Sequence, residues 1–356
     1  MAVSQVKVKT LELTDNLHLV PFPSSEISQE CAVVPLVASS VAPLVAPLTF
    51  PLALPSVVPS TTTTLQKASL DLPEIRDLLK LSAYQVVVVK FGGNAIGNQQ
   101  VLDALIDDTI ALTRAGIQVV VVHGGGTAVN DALAAVGKQT EKINGLRVTD
   151  SETLGMAVKV FTDINEYLVE KFRQRGASAL GFCSKSAIPF QTEKMVSTDS
   201  GESYVDLGWV GEIVGVDAGA LERWMGAGWI PIVSPLGLDA GGHFYNINAD
   251  HAALALATDL QVDGLIFMTD VPGLLKDSKD PGSRIGHVTP KRAQRLIEQG
   301  TVSGGMLPKI KSCISAINTG INRIAILNSF ESNALLKGFV APQEFGTLIT
   351  GENHDH

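Results

Sequence analysis

The sequence predicts a doubly wound α/β sandwich on a mainly parallel central sheet. Three observations carry this. Apolar, β-branched runs such as VVVVKF (Val86–Phe91) and IQVVVVH (Ile117–His123) lack polar alternation, as strands buried on both faces of a parallel sheet require. Helical stretches separate these runs, so that each unit reads as strand, crossover helix, strand. Glycines gather at the strand C-termini (Gly92-Gly93 and Gly124-Gly125-Gly126), where sheets of this class bind ligands.

The chain does not begin with that pattern. Ala32 to Gln66 is uncharged and apolar, but Pro43, Pro47, Pro51, Pro55 and Pro59 recur every four residues. Each proline removes a helical hydrogen bond, at roughly 3 kcal/mol, which excludes a membrane-spanning helix. A secretory signal would need a basic start followed directly by an apolar run, and this N-terminus has none. Glu12, Asp15, Glu26 and Glu30 all precede the first arginine, Arg76, which disfavours an organelle transit peptide. Residues 1–70 are therefore expected to be a low-complexity, proline-rich, unstructured extension. Order is expected to start near Asp71, because Leu72, Ile75, Leu78 and Leu79 have the spacing of a short amphipathic helix.

The elements then follow in order. After the first strand, a helical stretch leads to Ala115-Gly116 and the second strand, and another helix runs through Val129 to Val136. Thr149-Asp150-Ser151-Glu152 has the form of a capping box and predicts a long helix to about Arg175. SALGFCS reads as a strand, and EKMVSTDSGESYVDLGWVGEI as an antiparallel insertion. WIPIVSP (Trp229–Pro235) and GLIFMTD (Gly264–Asp270) are again buried strands. Thr289 and Pro290 supply an N-cap and a first-turn proline to a helix ending at Gly300, and RIAIL (Arg323–Leu327) is the last central strand.

Composition narrows the function. A length of 356 residues permits one large domain or two ordinary ones. The net charge of −9 argues against nucleic acid or anionic lipid as the main partner, so any phosphate must be held locally. Cys31, Cys183 and Cys313 share no metal-ligand spacing and read as inert thiols in a reducing compartment, which places the protein in the cytoplasm.

The polar residues near the glycines carry the chemistry. Lys90 ends a buried strand, an expensive place for an ammonium unless an anion lies beside it. Gly92 and Gly93 let amides approach that anion. Gly124-Gly125-Gly126 opens a helix and so forms a second anion cradle, while His123 before it reads as structural. Neither loop is a dinucleotide or P-loop fingerprint. Arg147 suits bidentate recognition of a carboxylate. Asn246, Asn248 and Asp250 start an Ala-rich helix, and capping accounts for one of the three. Lys309 falls in a first helical turn, where a cation opposes the dipole and a nearby polyanion explains it better.

In series, KFGG, HGGG, GLRVTD, NINAD, TDVPGL and GGMLPK resemble the amino acid kinase family over roughly Gln85–Thr350, and within it the members acting on N-acetyl-L-glutamate. The resemblance implies a three-layer α/β/α sandwich over residues 71–351, with substrate on a lobe of about 85–245 and ATP on a lobe of about 246–351. It implies ATP-dependent phosphorylation of the substrate γ-carboxylate, a step of arginine biosynthesis. Lys90 and Lys309 would then stabilise the transition state and Asp250 would orient them, with Asn248 nearby. Gly92, Gly93, Gly125 and Gly126 would supply amides, Arg147 would hold the α-carboxylate, and Asn246 would contact the acetylated amino acid. Asp270, Val271, Pro272, Gly273, Leu274 and Leu275, with Thr301, Val302 and Ser303, would line the nucleotide. No dedicated metal site is implied: Mg²⁺ would be held mainly by the nucleotide phosphates. A homodimer is the family expectation.

Two alternatives stand beside this reading. One is a kinase for a related acceptor such as N-acetyl-L-2-aminoadipate, in lysine biosynthesis, because motifs do not set pocket length. The other is a catalytically silent ligand-sensing module, as in synthases that append an acetyltransferase domain. Retention of both lysines and Asp250 favours an active enzyme, and no such appended domain is expected before His356. Arginine-inhibited members carry a histidine- and arginine-containing segment after the last central strand. Here that place reads LNSFESNALLKGF, so arginine control is not implied.

Overall fold

The computed structural model describes residues 84–199 and 203–352. The proline-rich extension and the helix expected at Asp71–Leu81 lie outside them.

The chain lays down β1 (Val86–Phe91), α1 (Gly93–Ile96), α2 (Gln99–Arg114), β2 (Gln118–His123) and α3 (Gly126–Ala135). A two-residue hairpin follows, β3 (Lys142–Ile143) with β4 (Leu146–Arg147), and then α4 (Ser151–Gln174) and β5 (Ala179–Phe182). Next come β6 (Phe190–Asp199), β7 (Ser203–Val216), α5 (Gly219–Gly226), β8 (Ile230–Val233), β9 (Leu236–Leu238) and β10 (Phe244–Asn246). The last part holds α6 (Ala249–Asp259), β11 (Gly264–Thr269), β12 (His287–Val288), α7 (Pro290–Glu298), α8 (Met306–Asn318), β13 (Arg323–Asn328), α9 (Ala334–Val340), α10 (Pro342–Phe345) and β14 (Gly346–Thr350).

Eight strands form the central sheet in the order β12-β14-β13-β11-β1-β2-β8-β5. All neighbours are parallel except β13 and β14. The uninterrupted valines have a simple cause, since both faces of β1 are covered. Val88, Val120, Val122, Leu265 and Phe267 pack on one side with residues of α5, α6, α7 and α8. Val87, Val89, Val119, Val121 and Met268 pack on the other with α2, α4 and α9. The result is a three-layer α/β/α sandwich.

The predicted insertion is an antiparallel β6–β7 pair, from Phe190 opposite Val216 to Asp199 opposite Ser203. With β9 and β10 it closes into a small barrel. The capping box needs correction. Asp150, not Thr149, caps α4, its Oδ1 accepting from Thr153 N at 2.8 Å. Glu152 does not reach back, because Lys138 binds both it and Asp150. Thr149 is thereby free to donate to the Arg147 carbonyl at 2.8 Å, which supports the loop that carries the arginine.

Candidate active site

β1 lies at the middle of the sheet between β11 and β2, so the three loops that leave these strands share one edge. Lys90 is in register with Phe267 of β11 and Val122 of β2, and equivalent positions of parallel neighbours face the same side. The ammonium leaves the sheet beside the N-termini of α6 and α8. α6 is capped by Asn248, whose Oδ1 accepts from Asp250 N at 2.8 Å. Asp250 therefore sits in a first turn, where the helix dipole favours its charge.

Asp250 is the hub. Its Oδ2 accepts from Lys309 Nζ at 2.6 Å, and Lys90 Nζ stands 2.9 Å from Oδ1 without hydrogen-bond directionality. Burial raises the affinity of this carboxylate for a proton, but the two ammonium groups outweigh it and hold Asp250 well below the usual carboxylate range. Burial pulls Lys309 the other way, below the usual lysine value, with Asp250 opposing the fall and Lys90 adding to it. Two cations share one anion, which leaves an excess of positive charge in a largely desolvated place. That arrangement suits a ligand bringing negative charge.

The glycines are required by close approach. A Cβ on Gly92 would lie 2.9 Å from the Met268 carbonyl oxygen of the adjacent strand end. On Gly125 it would lie 2.8 Å from Ile164 and 2.9 Å from Phe161 of α4. Glycine thus lets the loop of β2 rest on the long helix and keeps its amides at the cleft.

Arg147 is 8% exposed and donates from Nη2 to the Gly126 carbonyl at 2.9 Å. Its Nη1 is buried without a hydrogen-bond partner, the signature of a fork that awaits an acceptor. Asn246 donates to Thr149 Oγ1 at 3.2 Å, which joins the end of β10 to the arginine loop.

These residues line a single cleft of about 650 Å³: Lys90, Gly92, Gly93, Gly125, Gly126, Arg147, Asn246, Asn248, Asp250, Asp270, Val271 and Lys309. The other residues expected around a nucleotide do not line it. Leu274 and Val302 are buried in the core with residues of α8, and Pro272, Gly273, Leu275, Thr301 and Ser303 do not border the cleft. A separate apolar groove of about 380 Å³ beside α4 contains none of the predicted residues.

Asn94, Thr127 and Lys142 are among the cleft residues that the motifs did not single out. Asn94 donates to Asp270 at 2.7 Å and accepts from Thr127 at 3.2 Å, which links the loops of β1, β11 and β2. Lys142 lines the cleft from β3. Asn94 directly follows Gly92-Gly93, and that adjacency was the available signal. His123 is fully buried, its Nδ1 2.9 Å from the Gly124 carbonyl and its Nε2 3.2 Å from Asn165 Nδ2. Burial lowers it to about 4, so it is neutral at physiological pH and serves the loop structurally.

The donor set suits an Mg²⁺ carried by phosphates, although among the described residues no group of three or more His, Cys, Asp or Glu is placed to hold a metal. Asp250 is committed to two lysines, which leaves Asp270 as the cleft carboxylate not paired with one. No described helix is long and apolar enough to cross a membrane.

Comparison with known proteins agrees with this architecture. The acetylglutamate kinase of Brachyspira hyodysenteriae is 38% identical over 266 residues, covering 74% of this chain and 90% of that one. That of Methanosarcina mazei is 39% identical over 269 residues, covering 74% and 92%. Among solved structures, N-acetylglutamate synthase from Neisseria gonorrhoeae, complexed with coenzyme A and N-acetyl-glutamate, superposes with a TM-score of 0.70 at 24% identity. The match covers 79% of this chain but only 62% of the synthase. Carbamate kinase from Giardia lamblia superposes with a TM-score of 0.55 at 18% identity, covering 76% and 99%, which speaks to the fold alone. The amino acid kinase model itself matches residues 85–328, from the start of β1 to the end of β13 and so across every strand that borders the cleft. The chain belongs to the amino acid kinase family.

Proposed function

We propose that this chain transfers the γ-phosphoryl group of ATP to the γ-carboxylate of N-acetyl-L-glutamate, yielding N-acetyl-glutamyl 5-phosphate and ADP. The supporting observation is that the Lys90–Asp250–Lys309 bridge and the partnerless Nη1 of Arg147 line one cleft. One group suits a phosphoryl in transit and the other a planar carboxylate.

The chemistry needs little else. A γ-carboxylate with a pKa of about 4.3 is ionised at neutral pH, so no general base is required. A carboxylate oxygen forms the new bond to phosphorus as the bond to the β–γ bridging oxygen breaks, and ADP leaves with that electron pair. Catalysis is then positioning and charge neutralisation of a loose transition state. Lys90 and Lys309 would approach the equatorial oxygens from β1 and α8, held apart by Asp250. Amides of Gly92, Gly93, Gly125 and Gly126 would receive the remaining oxygens. Asp270 would help to hold an Mg²⁺ carried by the phosphates, which when bound would supply charge neutralisation for the departing ADP. The nucleotide would run along Asp270–Leu275 and Thr301–Ser303, with the buried Leu274 and Val302 side chains supporting those segments from the core. Within the domain proposed for residues 71–351, the acceptor lobe would end near residue 245.

A panel of N-acetyl-L-glutamate, N-acetyl-L-2-aminoadipate, aspartate, carbamate and UMP tests the proposal. ADP formation should depend on N-acetyl-L-glutamate and be at least about tenfold slower with the others, a margin set by about one methylene of misfit. Preference for the aminoadipate would move the assignment to the longer acceptor. ATP turnover indifferent to any acceptor would refute it. A cytoplasmic homodimer is part of the same proposal, and sedimentation at micromolar concentration would reveal the dimer.

A further inference from the structure

Lys309 has a partner on the side away from the cleft. Its Nζ lies 4.5 Å from the centroid of the Phe267 ring. Phe267 is wholly buried in β11, does not line the cleft, and is the in-register neighbour of Lys90 on the same face of the sheet. One aromatic ring therefore lies beneath Lys309 and adjacent to Lys90.

A ring is a useful support here for an electrostatic reason. Burial disfavours the ammonium, and Asp250 has to serve two cations. A second carboxylate would hold Lys309 more firmly, but it would repel the phosphates. The face of an aromatic ring attracts a cation through its quadrupole and brings no net charge. The other group near Lys309 supplies none either: Cys313, one turn further along α8, is buried and its thiol is pushed up to about 12.

We propose that Phe267 is a positioning residue for phosphoryl transfer, its ring face pressing the Lys309 ammonium against Asp250 and towards the transferred group. The inference rests on the role assigned to Lys309 above, and the test separates the two.

Phe267 is replaced in the full-length chain by 4-fluoro-, 3,5-difluoro- and 3,4,5-trifluorophenylalanine. These keep the shape of the ring while its face loses attraction for a cation. Stepwise loss of kcat is expected, reaching about 3- to 10-fold at the trifluoro ring, with KM for both substrates within about twofold. Phe267→Leu should lose at least as much. The same series in a Lys309→Met background should leave the residual kcat flat. A flat kcat in the wild-type background, or an equal fall in both backgrounds as packing damage would give, overturns the proposal. Should Lys309→Met itself turn over at the wild-type rate, the assignment of Lys309 fails, a result distinct from a flat fluorine series.

Discussion

At the scale of single residues, the site works because its charges do not balance. Asp250 is bound by two ammonium groups: removing it would leave two buried cations uncompensated, whereas removing either lysine would leave a neutral pair and take away the excess positive charge that suits a phosphoryl group. Lys90→Ala and Lys309→Ala should each lower kcat by about 10²–10³-fold while KM changes much less, as expected for groups that act on charge developing in the transition state. Steady-state kinetics in both substrates would check this, and a pure KM effect would count against it. Arg147 should behave in the opposite way. Its buried Nη1 has no hydrogen-bond partner, and lysine cannot reproduce a bidentate fork. Arg147→Lys should raise KM for the acceptor by about 10- to 100-fold with kcat within a few-fold. Equal loss with a substrate analogue lacking the α-carboxylate would show that the arginine serves something else.

At the scale of elements, helix termini set the positions of the charges, and one terminus carries a titrating group. Asp108 of α2 is 4% exposed, and its Oδ2 accepts from Leu335 N at 3.1 Å and Leu336 N at 3.4 Å, the first amides of α9. Burial pushes this carboxyl up to about 7 against the opposing pull of the two amides. With a folded value raised above the unfolded one, its contribution is fully present below the unfolded value of 3.8 and is lost as pH rises through about 7. The loss should amount to about 4 kcal/mol between pH 4 and 8. Asp108→Asn keeps an acceptor for α9 but cannot ionise. Denaturant midpoints measured from pH 4 to 8 should therefore fall more steeply for the wild type than for the variant, and parallel curves would refute the prediction. Neither Asp108 nor this contact was visible in the sequence, because it spans 227 residues and the carboxylate sits amid the polar positions of an ordinary amphipathic helix. The same limit explains β9, β10 and β14. They are three to five residues long and are defined by their pairing rather than by an apolar run.

At the scale of the whole molecule, the central strands were legible and the β12–β14 edge was not. The central strands β1, β2, β8, β11 and β13 announced themselves by apolar runs, since a parallel sheet covered on both faces has no polar side. The cleft could be located from the same signal, because the glycines stand where β1 and β2 end. The catalytic candidates were readable as charges that made no sense alone. Lys90 in a core strand and Lys309 at a helix start are each costly, and the fold resolves both by bringing them to one carboxylate. What the sequence could not convey was strand register. Phe267 looks like any core residue until β11 is laid beside β1, and the Asn94–Asp270 contact likewise depends on those strands being neighbours. The same holds for Leu274 and Val302, which lie within the motifs: that their side chains turn into the core depends on packing the motifs do not show.

The central claim is that the cleft transfers a phosphoryl group to a carboxylate, and trapping the acyl phosphate tests it most directly. With ATP, Mg²⁺, N-acetyl-L-glutamate and excess hydroxylamine, the protein should form one γ-hydroxamate of the acceptor per ADP, and Lys309→Ala should slow both products together by about 10²–10³-fold. ADP released without hydroxamate, or hydroxamate formed undiminished by the Lys309 variant, would contradict the account.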